Sequence, residues 1–354
     1  MSKPVVFHKV SKEEWLQKVA KDLKGAPLSS LDWTADRLSL TPFYTEEDRT
    51  LRGPMQQSDS NTWKVGEVIH VHDEKETNQH CLHALQMGAN SLYLTDLTAQ
   101  TDLYKVLADI QLEWIHTHLD TDELSIAAKF AQLVNERGFD PNNVRCSMAF
   151  TTYSTEVAVL KDQLPHCQQY AIASTATTAQ EQISELLLKG EQILQLLSTA
   201  KVSISEANRS LRFRLQLSDD YYLNIAKIRA IKLCWQQILR SYDDECTALP
   251  IVEAHIKHSS ADNDENHNTI RSTSQALSAV IAGIDTLYVH PSKAGRADRH
   301  ALRINRNISH LLSEESHLHL VGDPAAGSYF FEAMTDKLAQ ESWSLFQDKF
   351  DPQS

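Results

Sequence analysis

The chain has 354 residues, 42% of them apolar, with 34 Lys and Arg against 47 Asp and Glu and a formal charge of −13. That length and apolar content suffice for one large core of barrel size. The acidity argues against a nucleic-acid backbone or an anionic membrane surface as partner, because both need clustered cationic side chains. The expectation is a soluble cytoplasmic protein.

No stretch approaches the roughly 18 apolar residues of a membrane span, and Met1 to Val10 lacks the apolar run of a secretory signal. Cys81, Cys146, Cys167, Cys234 and Cys246 are far apart with no CxxC pair. Buried thiols in a reducing compartment are expected, without a zinc knuckle or a redox pair.

In chain order, Ser11 to Leu23 reads as a capped helix, with Ser11 as N-cap and Glu14 at the capping-box position. The next stretch carries Pro27, Pro42 and Pro54, with Trp33, Phe43 and Tyr44 between them. Proline breaks regular ladders and the aromatics ask for a surface, so an arm is expected over residues 1–62. It would lie across its own barrel or another subunit. From Trp63 onward, β-rich runs alternate with helical periodicity. The runs are Trp63–Val71, Ser91–Leu94, Leu112–Leu119, Asn143–Phe150, Gln168–Ala173, Leu211–Leu217, Ile251–His255 and Thr286–Val289. Leu124–Arg137, Ile183–Leu197 and Tyr221–Leu239 repeat apolar residues at helical spacing, and Asp336–Phe350 reads as an amphipathic helix. Strands that alternate with helices imply crossovers and a parallel sheet, and eight strand candidates point to an α/β (β/α)8 barrel over residues 63–354. An open dinucleotide-binding sheet would call for GxGxxG, which does not occur.

Chemistry in such a barrel belongs at the C-terminal strand ends. After the seventh strand stand His255 and His258, flanking Lys257. An i, i+3 pair on a strand points to opposite faces, so shared metal ligation would need a turn, and pocket lining or an ordinary surface position is the plainer reading. No carboxylate pair is fixed at a working separation, and no GxSxG or Walker loop occurs. Spacing alone names no reaction.

Several segments carry a resemblance. Asp22-Leu23-Lys24-Gly25, Leu31-Asp32-Trp33, Pro42 through Asp48, Arg52-Gly53-Pro54 and Trp63 follow one another in order. Then come Asn224 through Ala230 up to Trp235, Asn268 through Thr273 leading into Gly283, Glu314 through Leu318, and Asp323-Pro324-Ala325-Ala326-Gly327-Ser328-Tyr329. Together they resemble the barrel part of the methylmalonyl-CoA mutase family. The resemblance implies a (β/α)8 barrel that threads acyl-CoA and works with adenosylcobalamin held by a separate domain.

The departures narrow this. Family tyrosines expected soon after Arg-Gly-Pro are missing, since Met55 to Thr62 contains no aromatic. A Tyr-His pair at the end of the fifth strand falls on Ile172-Ala173, and the glycine after it becomes Ala176. The cobalamin signature Asp-x-His-x-x-Gly has only a formal echo in His317-Leu318-His319-Leu320-Val321-Gly322. The given sequence ends before the degenerate cobalamin-like domain that small subunits usually keep. The resemblance therefore implies the non-catalytic small subunit of a heterodimeric mutase, with no catalytic residue, no metal and no cofactor of its own. Adenosylcobalamin would sit in a catalytic large-subunit partner. Two alternatives stand beside it: an active mutase half whose cobalamin domain lies on another chain, and a barrel that binds acyl-CoA without turnover. If a pocket survives, Trp63, His72, His255, His258 and Arg271 are expected to line it.

Overall fold

The computed structural model describes residues 10–48, 60–257, 264–291 and 299–350. Eight parallel strands close into a barrel in sequence order, the last pairing back onto the first. They are β1 (Lys64–His70), β2 (Ser91–Thr95), β3 (His116–Leu119), β4 (Arg145–Phe150), β5 (Cys167–Ala173), β6 (Leu211–Gln216), β7 (Ile251–Ile256) and β8 (Thr286–Val289). Parallel neighbours cannot be joined by tight hairpins, so each connection crosses over the outside. The crossover helices are α2 (Glu74–Gln86), α3 (Leu124–Glu136), α4 (Thr155–Gln163), α5 (Ala179–Thr199), α6 (Tyr221–Tyr242) and α7 (Glu265–Ile281). A short helix, Leu103–Val106, links β2 to β3. After β8, α8 (Arg299–His310) and α9 (Tyr329–Phe350) follow; α1 (Lys12–Asp22) precedes the barrel.

All eight expected strands are present. The third starts at His116 because Leu112–Trp114 forms a 3-10 turn instead. The last helix begins at Tyr329, one and a half turns or more ahead of the amphipathic stretch read from sequence. Polar side chains cap the helix starts: Asp73 accepts from Glu76 N at 2.8 Å and Asp220 from Leu223 N at 2.8 Å. All five cysteines are free and buried, and no described helix is long and apolar enough to cross a membrane.

The core sits between strands and helices. Ile69, Leu92, Leu94, Phe213 and Leu215 meet Ile183, Leu187, Ile228 and Trp235 in one apolar cluster. Gly190 makes the closest approach possible. A Cβ there would stand 2.8 Å from the Trp235 ring, which is fully buried edge-on to Phe213 and donates its indole N–H to Asn208 at 2.7 Å. Helix α9 packs on α5 and α6. Buried Arg229 of α6 ties it down through ion pairs with Asp323 and, at 2.7 Å, Glu332.

The capping box of α1 forms as expected, with Ser11 and Glu14 exchanging bonds. The following segment is less irregular than its prolines suggest. Trp33–Ala35 and Leu38–Leu40 pair as an antiparallel hairpin, turned by Asp36 at φ 49°. Leu38 and Leu40 are buried, Asp36 caps the amide of Ala179 at 2.8 Å, and Trp33 and Tyr44 meet the edge of Phe330 on α9. This part of the arm therefore folds on its own chain. Arg52-Gly53-Pro54 and Met55 lie outside the described residues.

Candidate functional site

Alternate residues of each strand face the barrel axis. In this barrel most are polar or aromatic: Ser91 and Tyr93 on β2, His116 and His118 on β3, Ser147 on β4, Arg212 and Arg214 on β6, Glu253 and His255 on β7, and Tyr288 on β8, with Val68 on β1 and Ala171 on β5 as apolar members. Every one of these except Arg214 is buried. Arg212 and Glu253 form a fully enclosed ion pair, and Arg212 also donates to the Gln168 carbonyl at 2.9 Å. Arg214 reaches Asp120 at 3.0 Å and lies over the Tyr93 ring at 5.3 Å. Both guanidinium groups approach His118 Nε2 at 3.2 Å, while the Ser147 hydroxyl bridges His118 Nδ1 and His116 Nε2. Tyr93 stacks on His118 with centroids 4.1 Å apart and meets Tyr288 edge-on at 4.9 Å. His255 joins Glu253 at 3.0 Å and His290 at 2.9 Å. Gly66 admits this packing, since a Cβ there would fall 2.2 Å from the Tyr288 ring.

The electrostatics follow from enclosure. Burial, reinforced by Arg212, holds His118 well below the usual histidine range. Burial alone dominates at His116, pushed down to about 3, and at His290, pushed down to about 2 with His255 adding to it. His255 is lowered by burial against the pull of Glu253. Burial is the largest influence on Glu253 and opposes its ionisation, but Arg212, His255, His118 and Arg214 together outweigh it and hold the carboxyl well below its usual range. The axis thus contains neutral imidazoles clamped between two guanidinium groups and two carboxylates. Acid–base chemistry needs a group within reach of a substrate proton; these groups reach one another.

Two recesses stand among the described residues. A cavity of about 440 Å³ is lined by Glu67, His70, His72, His80, His83 and Arg306 among others, and Glu67 bonds His80 at 3.1 Å and Arg306 at 2.9 Å. A second, about 290 Å³, lies at the ends of β5 and β6 between Ser174, Thr175, Gln182, Arg214, Ser218 and Lys227. Burial brings the Lys227 amine down to about 8, and it donates to Gln182 Oε1 at 3.0 Å and the Gln216 carbonyl at 2.9 Å.

Of the residues picked from sequence, His255 belongs to the axial network and His72 stands at the mouth beside His70. Both occupy the C-terminal side of the barrel. Trp63 precedes β1 at the opposite end and donates to Ser309 at 2.7 Å, and Arg271 on α7 pairs with Asp219 at 3.3 Å. Trp63 therefore stands away from the mouth, while Arg271 meets the loop that follows β6. His258 lies outside the described residues. At the end of β5, Ile172 is buried in the apolar core, and Ala173 stands in register with Arg214. The axial network itself escaped sequence reading. Its signal was a pair of charged or imidazole side chains two residues apart on each of β3, β6 and β7: His116 and His118, Arg212 and Arg214, Glu253 and His255.

The matching family model is that of methylmalonyl-CoA mutase, over residues 166–349. Among curated relatives, the methylmalonyl-CoA mutase small subunit of Porphyromonas gingivalis is 28% identical, over 96% of this chain and 63% of its own length. That of Streptomyces virginiae is 27% identical, over 97% of this chain and 64% of its own. The chain thus spans less than two thirds of the relatives it matches. Among solved structures, dihydropteroate synthase from Xanthomonas albilineans matches 71% of this chain and 93% of its own, with a TM-score of 0.45 and 12% identity. With the family model covering more than half of its residues, the chain belongs to the methylmalonyl-CoA mutase family.

Proposed function

We propose that this chain is the non-catalytic small subunit of a heterodimeric adenosylcobalamin-dependent methylmalonyl-CoA mutase. A large-subunit partner would carry the isomerisation of methylmalonyl-CoA and succinyl-CoA. The observation that carries this reading is the filled axis. A mutase that threads acyl-CoA through its barrel needs a lumen; here Tyr93, His118, Arg212, Glu253 and Tyr288 occupy it and pack against one another. At the end of β5, Ile172 and Ala173 offer no side-chain hydrogen bond to a thioester oxygen, a loss worth roughly 10²-fold or more in rate.

The cofactor fits poorly. His319, the nearest echo of a cobalt ligand, directs Nδ1 to the Ser313 carbonyl at 2.8 Å, in a turn entered through left-handed His317 at φ 54°. The Asp of the family signature is replaced by His317 itself. No chemical step of this chain runs through cobalamin. Its contribution would be to stabilise the partner by buried surface.

A large subunit of the same family, co-expressed with this chain, is expected to co-elute with it as one complex that isomerises methylmalonyl-CoA. Separate elution of two folded chains would contradict the proposal. The recess holding Arg214 and Lys227 favours one second reading, acyl-CoA binding without turnover, because two cations there suit a carboxylate or phosphate. Calorimetric titration with CoA thioesters distinguishes it: heat that disappears in Lys227→Met supports binding at that recess.

A further inference from the structure

The barrel mouth carries a group of side chains that neither the axial network nor the subunit role uses. β1 ends at His70, and His72 follows two residues on, so the imidazoles fall on one side of the extended chain. Their rings lie within 10° of parallel, centroids 6.1 Å apart. Thr95 of β2 pairs in register with His70, and Asp96 follows it with φ 59°, a left-handed turn at the strand end. The Asp96 carboxylate meets His70 Nδ1 at 2.6 Å, and the Thr95 hydroxyl lies 2.9 Å from the same nitrogen. One ligand atom from each of His70, His72 and Asp96 falls within 4.8 Å of the other two.

We propose that His70, His72 and Asp96 bind a divalent transition-metal ion of the zinc type, three protein ligands leaving a position for water. Two imidazoles and one carboxylate make a borderline donor set that suits zinc and its neighbours, whereas magnesium and calcium prefer oxygen alone. Around a four-coordinate ion with bonds of about 2.0–2.2 Å, tetrahedral geometry sets ligand atoms roughly 3.3–3.6 Å apart. Small side-chain rotations reach that spacing, opening the His70–Asp96 contact slightly and drawing His72 in. Access needs no opening of the fold, since the His70 and Asp96 side chains are 27% and 50% exposed. The adjoining cavity is lined by Asp73 and Glu76 together with Arg299 and Arg306. The Thr95 hydroxyl donates to the Asp96 carboxylate at 3.2 Å and is placed as an outer partner that orients that ligand.

The test is titration of the intact chain with Zn2+ and Co2+ against a coloured competing chelator. Its five cysteines are free but buried and do not compete while it stays folded. One equivalent of ion per chain is expected, with Co2+ giving the strong visible bands of a four-coordinate site. Losing an outer-shell partner costs roughly 10- to 100-fold in metal affinity, so His70→Ala/His72→Ala should weaken binding by at least that factor. Asp96→Asn should weaken it too, and His166→Ala on an exposed loop should leave it unchanged. Circular dichroism establishes that each variant is folded. If the intact chain takes up no ion, or the folded double variant keeps its equivalent, His70 and Asp96 are an ordinary surface pair and the proposal falls.

Discussion

Arg212 and Glu253 show how much a single side chain carries here. Both are enclosed, and each is the principal counter-charge of the other. Removing one partner of such a pair strands the other charge, at a cost of about 3–5 kcal/mol, whereas replacing both by apolar residues of similar volume is often neutral or stabilising. Glu253→Ala should therefore lower unfolding stability by that amount, and Arg212→Met/Glu253→Leu should recover most of it, as urea denaturation of the three variants would show. Gly66 makes a second case. Its Cβ-less backbone receives the Tyr288 ring and the Leu287 carbonyl, so Gly66→Ala should cost about 1–3 kcal/mol by overpacking, relieved only in part when Tyr288 is shortened to Ala, because the carbonyl oxygen would still stand 2.7 Å from the added Cβ. These roles were hard to read from sequence. His255 and His72 stood out because strand ends draw attention, but Arg212, Arg214 and His118 sit mid-strand, where periodicity says which face they share and not what occupies the opposite side of the barrel. Trp63 was picked from the same strand-end and alignment reasoning, but it precedes β1 and so stands at the other end of that strand.

Among the elements, strand and helix identity was legible because the outward face of each strand and the inward face of each helix must both be apolar to bury one another. Leu211–Leu217 and Tyr221–Leu239 each carry that pattern strongly, and β6 and α6 follow it closely. The hairpin at Trp33–Leu40 was not legible. Three residues per strand give too short an alternation, and its stability comes from Leu38 and Leu40 reaching under α9 and from Asp36 capping α5. The seating of α9 depends on Arg229, whose partners Asp323 and Glu332 lie about a hundred residues further along the chain. Arg229→Ala should remove the cation that links α6 to Asp323 and Glu332 and leave a buried gap. We expect faster amide hydrogen exchange in Tyr329–Phe350 than in the barrel strands, and a global loss of about 3–5 kcal/mol. Exchange that rises uniformly over the chain would show that α9 is not a separately opening element.

At the scale of the whole molecule, the buried histidines set the response to acid. A histidine whose folded pKa is depressed is neutral in the native barrel but binds a proton once unfolded, near its ordinary value of about 6.5. The unfolded state therefore gains protons first, and stability falls as the pH drops below about 6.5 toward the folded values, near 3 for His116 and near 2 for His290. His118 and His255 act in the same direction, and lowered Glu253 joins them below its ordinary carboxylate range. Asp285, raised by burial, acts oppositely but is one group against several. Each histidine contributes up to about 1.4 kcal/mol per pH unit in its window. The urea midpoint should drop steeply between pH 6.5 and 4, and a flat midpoint over that range would contradict the neutral, enclosed network.

The same network underlies the functional reading, because among the described residues Tyr93, His118, Arg212, Glu253 and Tyr288 occupy the axis that a threaded thioester would need. The most direct measurement is an isomerase assay of the purified full chain with methylmalonyl-CoA and adenosylcobalamin, followed by succinyl-CoA formation. The expected result is no product above a protein-free blank. Sustained turnover by the chain alone would contradict the account.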